Sequence, residues 1–217
     1  MSDDVRNAQD GFRARVQVDE GFYHAAAYAT PERFYSYGVQ VQAVLGSGAG
    51  SVLEVGPGPG VVRSFLCDAG VRVVSLDLDP ATRPEVVADM IHLPVASNAV
   101  DTVLCCQVLE HVPYALAEKA LGELRRVARG SAVVSVPDVT PYYYLDMAIP
   151  KLRISRRWSV PWHRPRPMAF DGQHHWSLGV GDVDVERFRA SLGAAGWKVA
   201  DELRPSANDY HRFFFLE

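Results

Sequence analysis

The sequence contains few cysteines and no long hydrophobic segment. Its 217 residues include 3 cysteines, and two of them, Cys105 and Cys106, are adjacent and therefore poor partners for each other. We expect these and Cys67 to be reduced thiols that fill apolar space. The polar first residues, MSDDVRNAQDGF, lack the apolar core of a signal peptide, and no later segment approaches the length of a membrane span. These absences predict a cytoplasmic protein without a transmembrane segment.

The sequence also lacks a strong excess of charge of either sign. Its net charge is -4, with 22% charged and 48% hydrophobic residues, which is an ordinary globular composition. This balance argues against a protein whose whole surface binds a polyanion, although it leaves room for a local basic patch. The length fits one α/β domain, or such a domain with a modest insertion.

Two common nucleotide-binding motifs are missing from the glycine-rich segment SVLEVGPGPGVVRSFL, residues 51–66. A dinucleotide fingerprint needs the spacing G-x-G-x-x-G, but the third glycine falls one position early and Val61 stands in its place. A phosphate-binding loop of the Walker type needs Gly-Lys-Ser/Thr, which is absent. There is no Tyr-x-x-x-Lys pair either, and these absences disfavour a dinucleotide oxidoreductase.

This same segment nevertheless has the pattern of a ligand site. Residues 52–55 are a short apolar strand that contains the carboxylate of Glu54. If a helix begins at Val61, its free N–H groups face the end of that strand, where an anionic group can bind. An ordinary tight turn is the alternative. The turn is made possible by three alternating glycines: Gly56, Gly58 and Gly60.

A second acidic residue follows a second predicted strand. Residues 71–76, VRVVSL, are rich in valine, and Asp77 comes directly after them. If the two strands are adjacent and parallel, Asp77 can accept charge-assisted hydrogen bonds from both hydroxyls of a ribose. Capping of the turn D-L-D-P is the alternative role for this aspartate.

Two further segments continue the same alternation of strand and turn. A short third strand is predicted at 85–88, and Asp89 and Met90 follow it. Val103–Cys106 is continuously apolar, as a central strand covered on both faces requires. Gln107 leaves this strand, and the sequence L-E-H-V comes next.

Taken together, these segments resemble the class I S-adenosylmethionine-dependent methyltransferases. The resemblance covers roughly residues 30–137 and is closest to the small enzymes typified by those of ubiquinone and menaquinone biosynthesis. It implies an α/β fold: a Rossmann-like three-layer αβα sandwich whose seven-stranded sheet is mostly parallel, with an antiparallel C-terminal strand. It also implies S-adenosyl-L-methionine as cofactor and S-adenosyl-L-homocysteine as product.

The resemblance assigns a part of the cofactor to each motif. The glycine turn and Glu54 would hold the methionine part, and Asp77 with its neighbour Leu78 the ribose. Asp89 would accept from the adenine amino group, Met90 would pack on the ring, and Gln107 would lie near the reacting centre. The predicted cofactor-binding residues are therefore Glu54, Gly56, Gly58, Gly60, Asp77, Leu78, Asp89, Met90 and Gln107.

We expect one methyltransferase domain over residues 1–217, in four parts. Residues 1–29 form an N-terminal arm or lid, 30–137 the cofactor-binding core, 138–181 an insertion that caps the substrate, and 182–217 a final helix and strand pair. In the arm, GFYHAAAYA is predicted to form a helix over the cofactor. Tyr35 and Tyr37 are either part of the lid or packing residues.

Local signals place the remaining helices. Thr30-Pro31-Glu32 is a good helix start because a capping residue precedes a proline. A helix is predicted from Tyr114 to Arg129, capped by Gly130, and a last helix is predicted to be capped by Asp182. Strands at 197–200 and 212–216 then close the sheet.

The segment 151–166, KLRISRRWSVPWHRPR, is strongly basic and has three open interpretations. It binds an anionic group of a small substrate, it contacts an anionic membrane surface through its tryptophans, or it is a solvated loop. The acidic balance of the whole chain and the lack of an added RNA-binding module argue against nucleic acid. The residues concerned are Lys151, Arg153, Arg156, Arg157, Trp158, Trp162, His163, Arg164 and Arg166.

Three histidines are candidates for a general base. An oxygen or nitrogen acceptor needs its proton removed, and His111, His174 and His175 are available for this. For His111, capping of the next helix or contact with the cofactor is the alternative. Two adjacent histidines are too few for a metal site without a third ligand, so no metal is predicted.

These observations predict methyl transfer to a small molecule, with an oxygen, nitrogen or carbon acceptor. The basic segment makes an anionic or lipid-like acceptor one interpretation. The alternatives are a regulatory subunit that binds the cofactor without catalysis, and a methyltransferase for RNA or protein. Aminopropyl transfer is disfavoured, because it needs acidic residues around a polyamine and the insertion is basic.

Overall fold

A seven-stranded sheet forms the centre of the molecule. The computed structural model describes residues 15–17, 21–26, 28–160 and 165–217. In these ranges the sheet has the order β3-β2-β1-β4-β5-β9-β8, and β6 and β7 form a separate hairpin. The strands are β1 (Ser51–Val55), β2 (Arg72–Asp77), β3 (Val86–Val87), β4 (Val100–Cys106), β5 (Ala128–Pro137), β6 (Tyr142–Ile149), β7 (Leu152–Ser159), β8 (Val199–Leu203) and β9 (His211–Leu216).

Four α-helices accompany the strands. They are α1 (Pro31–Ser47), α2 (Val61–Asp68), α3 (Tyr114–Val127) and α4 (Val185–Ala194), and short 3-10 turns lie at Phe22–His24, Pro80–Thr82 and Leu109–His111. No helix in the described ranges combines the length and the apolar composition needed to cross a membrane.

The pairing of the strands confirms the predicted fold class. β1 is parallel to both β2 and β4, β2 is parallel to β3, and β4 is parallel to β5. β9 is antiparallel to both of its neighbours, β5 and β8. The sheet is therefore mostly parallel, with one antiparallel strand near the C-terminus.

Apolar side chains alternate between the two faces of the sheet and bury a core on each. Leu53 of β1 belongs to the cluster that includes Leu121 of α3 and Phe188 of α4. Its neighbour Val52 points to the opposite face and joins a cluster with Leu66 of α2. Because both faces are covered by helices, the fold has three layers.

The ends of two helices differ from the sequence prediction. α3 ends at Val127, not at Arg129, because Ala128 is already extended and pairs with Val100 of β4. Gly130 is therefore a residue of β5 and not a helix cap. The N-cap of α4 is Asp184, whose Oδ1 accepts from the Arg187 amide at 2.8 Å. The prediction that Asp182 caps this helix is wrong, and Asp182 instead pairs with the Arg187 guanidinium.

The basic segment lies largely on the β6–β7 hairpin. Tyr143 stands opposite Trp158, and Ile149 opposite Leu152 at the turn. The Arg157 guanidinium lies 4.4 Å from the centre of the Tyr142 ring, and its Nη1 donates to the Arg204 carbonyl at 2.6 Å, which ties it to the residue after β8. Trp162, His163 and Arg164 lie outside the described residues.

A buried carboxylate ties the start of the 138–181 segment to the sheet. The Asp138 side chain is fully buried, and its Oδ2 accepts from Arg212 Nε at 2.7 Å. Arg204 Nη1 lies 3.3 Å from the same oxygen. The Thr140 amide donates to Asp138 Oδ1 at 2.9 Å.

Removal of this carboxylate should destabilise the fold strongly. Asp138→Ala leaves two arginines without their buried partner, and we expect the free energy of unfolding to fall by about 3–5 kcal/mol. Urea denaturation measures this change. Asp182→Ala is the matched control because its ion pair with Arg187 is exposed, and it should have a far smaller effect. Equal effects of the two substitutions would contradict a structural role for Asp138.

Candidate active site

The predicted cofactor residues meet at one edge of the sheet. Because β1 to β4 run parallel and lie side by side, the residues at their carboxyl ends come together. A cavity of about 260 Å³ lies there. Among the sequence-predicted residues, the cavity is lined by Glu54, Gly56, Gly58, Asp77, Leu78, Asp89, Met90, Gln107, His111 and His174.

The glycine turn after β1 has the backbone conformation that its sequence predicts. All three glycines have positive φ, which side chains with a Cβ rarely adopt. A Cβ on Gly56 would lie only 2.4 Å from Cγ2 of Val108, so the turn approaches the segment after β4 very closely. Gly58 lines the cavity, whereas Gly60 is the N-cap of α2 and does not.

Glu54 presents a buried carboxyl group to the cavity. Glu54 is 4% exposed, and its Oε2 has no hydrogen-bond partner among the described residues. Burial raises the pKa of this carboxyl to about 8. The protein alone therefore holds Glu54 largely neutral at pH 7, and a cationic ligand group would favour its ionised form.

Asp77 caps its own turn and also lies at the cavity wall, where the predicted ribose contact stays a prediction. It is the last residue of β2 and lines the cavity, and its Oδ1 also accepts from the Asp79 amide at 3.0 Å. Burial raises the pKa of the Asp77 carboxyl. The turn bond fixes the orientation of the carboxylate at the cavity wall, next to Leu78.

Asp89 and Met90 line the cavity after β3. The Asp89 carboxylate accepts from the Ile91 amide at 3.1 Å through Oδ1. Met90 is 7% exposed and belongs to the core cluster as well. A carboxylate that can accept hydrogen bonds therefore lies next to an apolar side chain at this end of the cavity.

Gln107 lies after β4 in a backbone conformation that is unusual for a residue with a side chain. Its φ is +58°, and its backbone N–H donates to the Ser135 carbonyl at 2.8 Å. Its Nε2 donates to Ser135 Oγ at 3.2 Å. These bonds hold Gln107 at the cavity wall.

Aromatic side chains from the N-terminal part cover one side of the cavity. The predicted helix of this region is a single 3-10 turn in the described residues, and Tyr23 and Tyr28 line the cavity. Their rings meet edge to face with centres 5.1 Å apart, and Arg33 lies 3.8 Å from the Tyr28 centre. Tyr37 also lines the cavity, whereas Tyr35 is exposed.

His111 is a buried histidine whose ring is oriented by two oxygens. Its Nδ1 lies 2.7 Å from Gln17 Oε1 and 3.1 Å from the Gln173 carbonyl oxygen. Because both partners are acceptors, Nδ1 carries the proton. Burial lowers the pKa of His111 to about 4, so the imidazole is neutral at pH 7.

The two adjacent histidines separate. His174 lines the cavity, and its ring centre is 5.2 Å from that of His111. His175 does not line the cavity, and its ring packs on Phe170 with centres 4.5 Å apart. The structure therefore brings His111 and His174 together and leaves His175 outside.

Glu110 is a site residue for which the sequence predicts no role. It lines the cavity with 0% exposure, and neither carboxylate oxygen accepts a hydrogen bond of good geometry from another described residue. Burial raises the pKa of Glu110 to about 8. Its place in the L-E-H-V sequence is the only signal that pointed to it.

The C-terminal part also contributes two residues that no sequence signal indicated. Tyr210 and His211 line the cavity at the start of β9. The Tyr210 hydroxyl lies 3.3 Å from His174 Nδ1. Burial lowers the pKa of His211 to about 3.

Comparison with known proteins finds matches among methyltransferases. A family model described as a methyltransferase domain matches residues 53–136. An uncharacterized methyltransferase of Mycobacteroides abscessus is 33% identical over 143 residues, which is 57% of this chain and 53% of that relative. The chain thus spans about half the length of this curated relative.

Solved structures match over almost the whole chain. A 1,6-didemethyltoxoflavin-N1-methyltransferase of Burkholderia thailandensis has a TM-score of 0.60 at 17% identity and covers 99% of this chain and 84% of its own. The N-methyltransferase NodS of Bradyrhizobium japonicum has a TM-score of 0.61 at 12% identity and covers 97% and 96%. Both were solved with S-adenosylhomocysteine.

These matches show the fold of the chain and a methyltransferase domain within it. The fold is that of Rossmann-like methyltransferases. Residues 53–136 carry a methyltransferase domain, and the resemblance to class I S-adenosylmethionine-dependent methyltransferases is confirmed.

Because the Glu54 carboxyl is buried, we expect its replacement to stabilise the protein, by an amount that depends on pH. In the folded protein its pKa is about 8, against an ordinary value of 4.5, so its contribution to stability is lost as pH rises between these values. Glu54→Gln keeps the shape and removes the charge. The variant should become more stable than the parent by on the order of 1–3 kcal/mol above about pH 8, and less so toward pH 5.

Urea denaturation of both proteins at several pH values measures this difference. A difference that does not change with pH would contradict the raised pKa of Glu54.

Proposed function

We propose that this protein is an S-adenosylmethionine-dependent methyltransferase that acts on a small molecule. The observation that carries the proposal is that Glu54, Asp77 and Asp89 line one cavity beside the glycine turn. The matched methyltransferase domain contains all three of these residues. The proposal extends to the whole chain, including the parts outside residues 53–136.

Each acidic residue suits a different part of the cofactor. The buried Glu54 carboxyl suits the cationic amino group of the methionine part, beside the N–H groups of the glycine turn. Asp77 is placed for the ribose hydroxyls, with Leu78 next to it. Asp89 suits the adenine amino group, and the apolar Met90 suits the ring. The strand order β3-β2-β1 supports this sequence of parts along the sheet edge.

The protein would contribute mainly binding, orientation and exclusion of water. When bound, the cofactor supplies a methyl group that its positive sulfur already activates. The residues of this chain then have to hold an acceptor in line with that methyl group. Tyr23, Tyr28 and Tyr37 lie at the cavity wall and would shield it from solvent.

The acceptor would bind at the end of the cavity near β4. Gln107, His111 and His174 line this part, and both histidines have lowered pKa values because they are buried. A neutral imidazole is able to accept a proton from an oxygen or nitrogen acceptor. His175 is not placed for this role, because it lies outside the cavity.

We also propose the division of the chain into a lid, a core and an insertion. The lid is supported by the tyrosines of residues 21–37 at the cavity wall. Only a small part of residues 138–181 supports a role as a substrate cap. Within the described residues, Gln173 and His174 are the members of this segment that line the cavity. An acceptor would therefore meet the 173–174 end of the insertion and not the hairpin.

Ligand-induced stabilisation tests the choice of cofactor. S-adenosylhomocysteine should raise the melting temperature of the protein in a concentration-dependent way, because it binds only the folded state. NAD should not, because the glycine spacing does not fit it. Differential scanning fluorimetry compares the two. Stabilisation by NAD alone would contradict the proposal.

Replacement of Asp77 tests the ribose contact. Asp77→Ala should weaken binding of S-adenosylhomocysteine about 10 to 150-fold, through the loss of roughly 1.5 to 3 kcal/mol of charge-assisted hydrogen bonding. Isothermal titration calorimetry measures this change. Asp68→Ala, on the exposed part of α2, is the control and should bind like the parent. If Asp77→Ala bound S-adenosylhomocysteine with unchanged affinity, the assignment of Asp77 to the ribose would be wrong.

A further inference from the structure

Three side chains with metal-binding atoms converge in the cavity. One potential ligand atom from each of Glu110, His111 and His174 lies within 4.8 Å of the others. Glu110 and His111 come from the turn after β4, whereas His174 comes from the end of the 138–181 insertion. The fold thus combines His174, but not the adjacent His175, with two potential ligands from another segment, which the sequence did not predict.

The hydrogen bonds of the two histidines leave a ring nitrogen available in each. Nδ1 of His111 donates to the oxygens of Gln17 and Gln173, so its Nε2 has a free lone pair. His174 Nδ1 lies 3.3 Å from the Tyr210 hydroxyl and 3.6 Å from Asp171 Oδ2. A carboxylate or carbonyl behind a histidine is the usual support of a metal ligand.

Glu110 supplies the observation that points to a cation. It is completely buried, yet neither oxygen accepts a hydrogen bond of good geometry from another described residue. A buried carboxylate is normally paired, hydrogen-bonded or bound to a metal. A cation between Glu110 and the two imidazoles would satisfy it.

We propose that Glu110, His111 and His174 bind a divalent transition-metal ion. Two imidazoles and one carboxylate are a ligand set of open zinc and non-haem iron sites, which keep further positions for water or substrate. Because these residues line the cavity, the open positions face it. The site would be a centre within the cavity that binds an oxygen of the acceptor.

The consequence for catalysis rests on the proposed methyltransferase function. With the ion bound, His111 and His174 would be ligands and would no longer accept the proton. An acceptor hydroxyl bound to the ion would instead lose its proton to solvent, because a cation stabilises the oxyanion. The oxygen lone pair would then form the bond to the methyl carbon. The carbon–sulfur bond would break with its electron pair going to sulfur, so the products are a methyl ether and a neutral thioether. The acceptor class is thus a hydroxyl compound.

Metal binding tests the site directly and without turnover. Tag-free protein, stripped with a chelator, should bind one equivalent of Zn²⁺ in a calorimetric titration. Co²⁺ should give the visible absorption of a low-symmetry site. Glu110→Gln and His174→Ala should each weaken Zn²⁺ binding by at least about 10 to 100-fold. His175→Ala is the matched control, because this adjacent histidine lies outside the cavity, and it should bind like the parent.

Absence of stoichiometric binding would overturn the proposed site, and so would equal binding by the parent, Glu110→Gln and His174→Ala. Binding of S-adenosylhomocysteine is measured on the same metal-free samples. A protein that binds this compound but not Zn²⁺ loses the metal site and keeps the proposed function. A protein that binds Zn²⁺ at these residues but not S-adenosylhomocysteine keeps the site and loses the proposed function. Circular dichroism of each variant shows that it is folded.

Discussion

The burial of carboxyl groups at the ends of parallel strands is the constraint on which the site depends. Glu54 and Glu110 are both almost inaccessible to water, and burial raises the pKa of each to about 8. Such groups cost stability as the pH rises, unless a ligand charge is placed beside them. The fold retains both groups at one cavity, where a cationic ligand group would stabilise their ionised forms.

The sheet order and one turn bring these groups together. Because β1 lies between β2 and β4, the turn after β1 meets the segments that follow both neighbours. Gly56 allows this approach, since a side chain there would collide with Val108. The same edge thus places Asp77 and Asp89 on the β2–β3 side of the cavity, and His111 on the β4 side. The Asp138 ion pairs hold the beginning of the insertion whose far end supplies His174.

Much of this arrangement was predictable because its signals are local. A strand with an acid near its end and alternating glycines after it can be recognised from a few consecutive residues. Glu54, Asp77 and the fold class were therefore predicted. The role of Glu110 was not, because its burial depends on a distant segment: the His175 amide donates to the Glu110 carbonyl at 2.8 Å. The predicted end of α3 was wrong for a similar reason. Ala128 pairs with Val100 of β4, so β5 begins two residues before Gly130.

Proton release during cofactor binding tests the central claim most directly. S-adenosylhomocysteine is titrated into the protein at pH 7 by calorimetry in buffers with different enthalpies of ionisation. If its ammonium group meets Glu54, the carboxyl must ionise, and close to one proton should be released because its pKa in the free protein is about 8. Glu54→Gln should release none. Tight binding by the parent with no proton released would contradict the account.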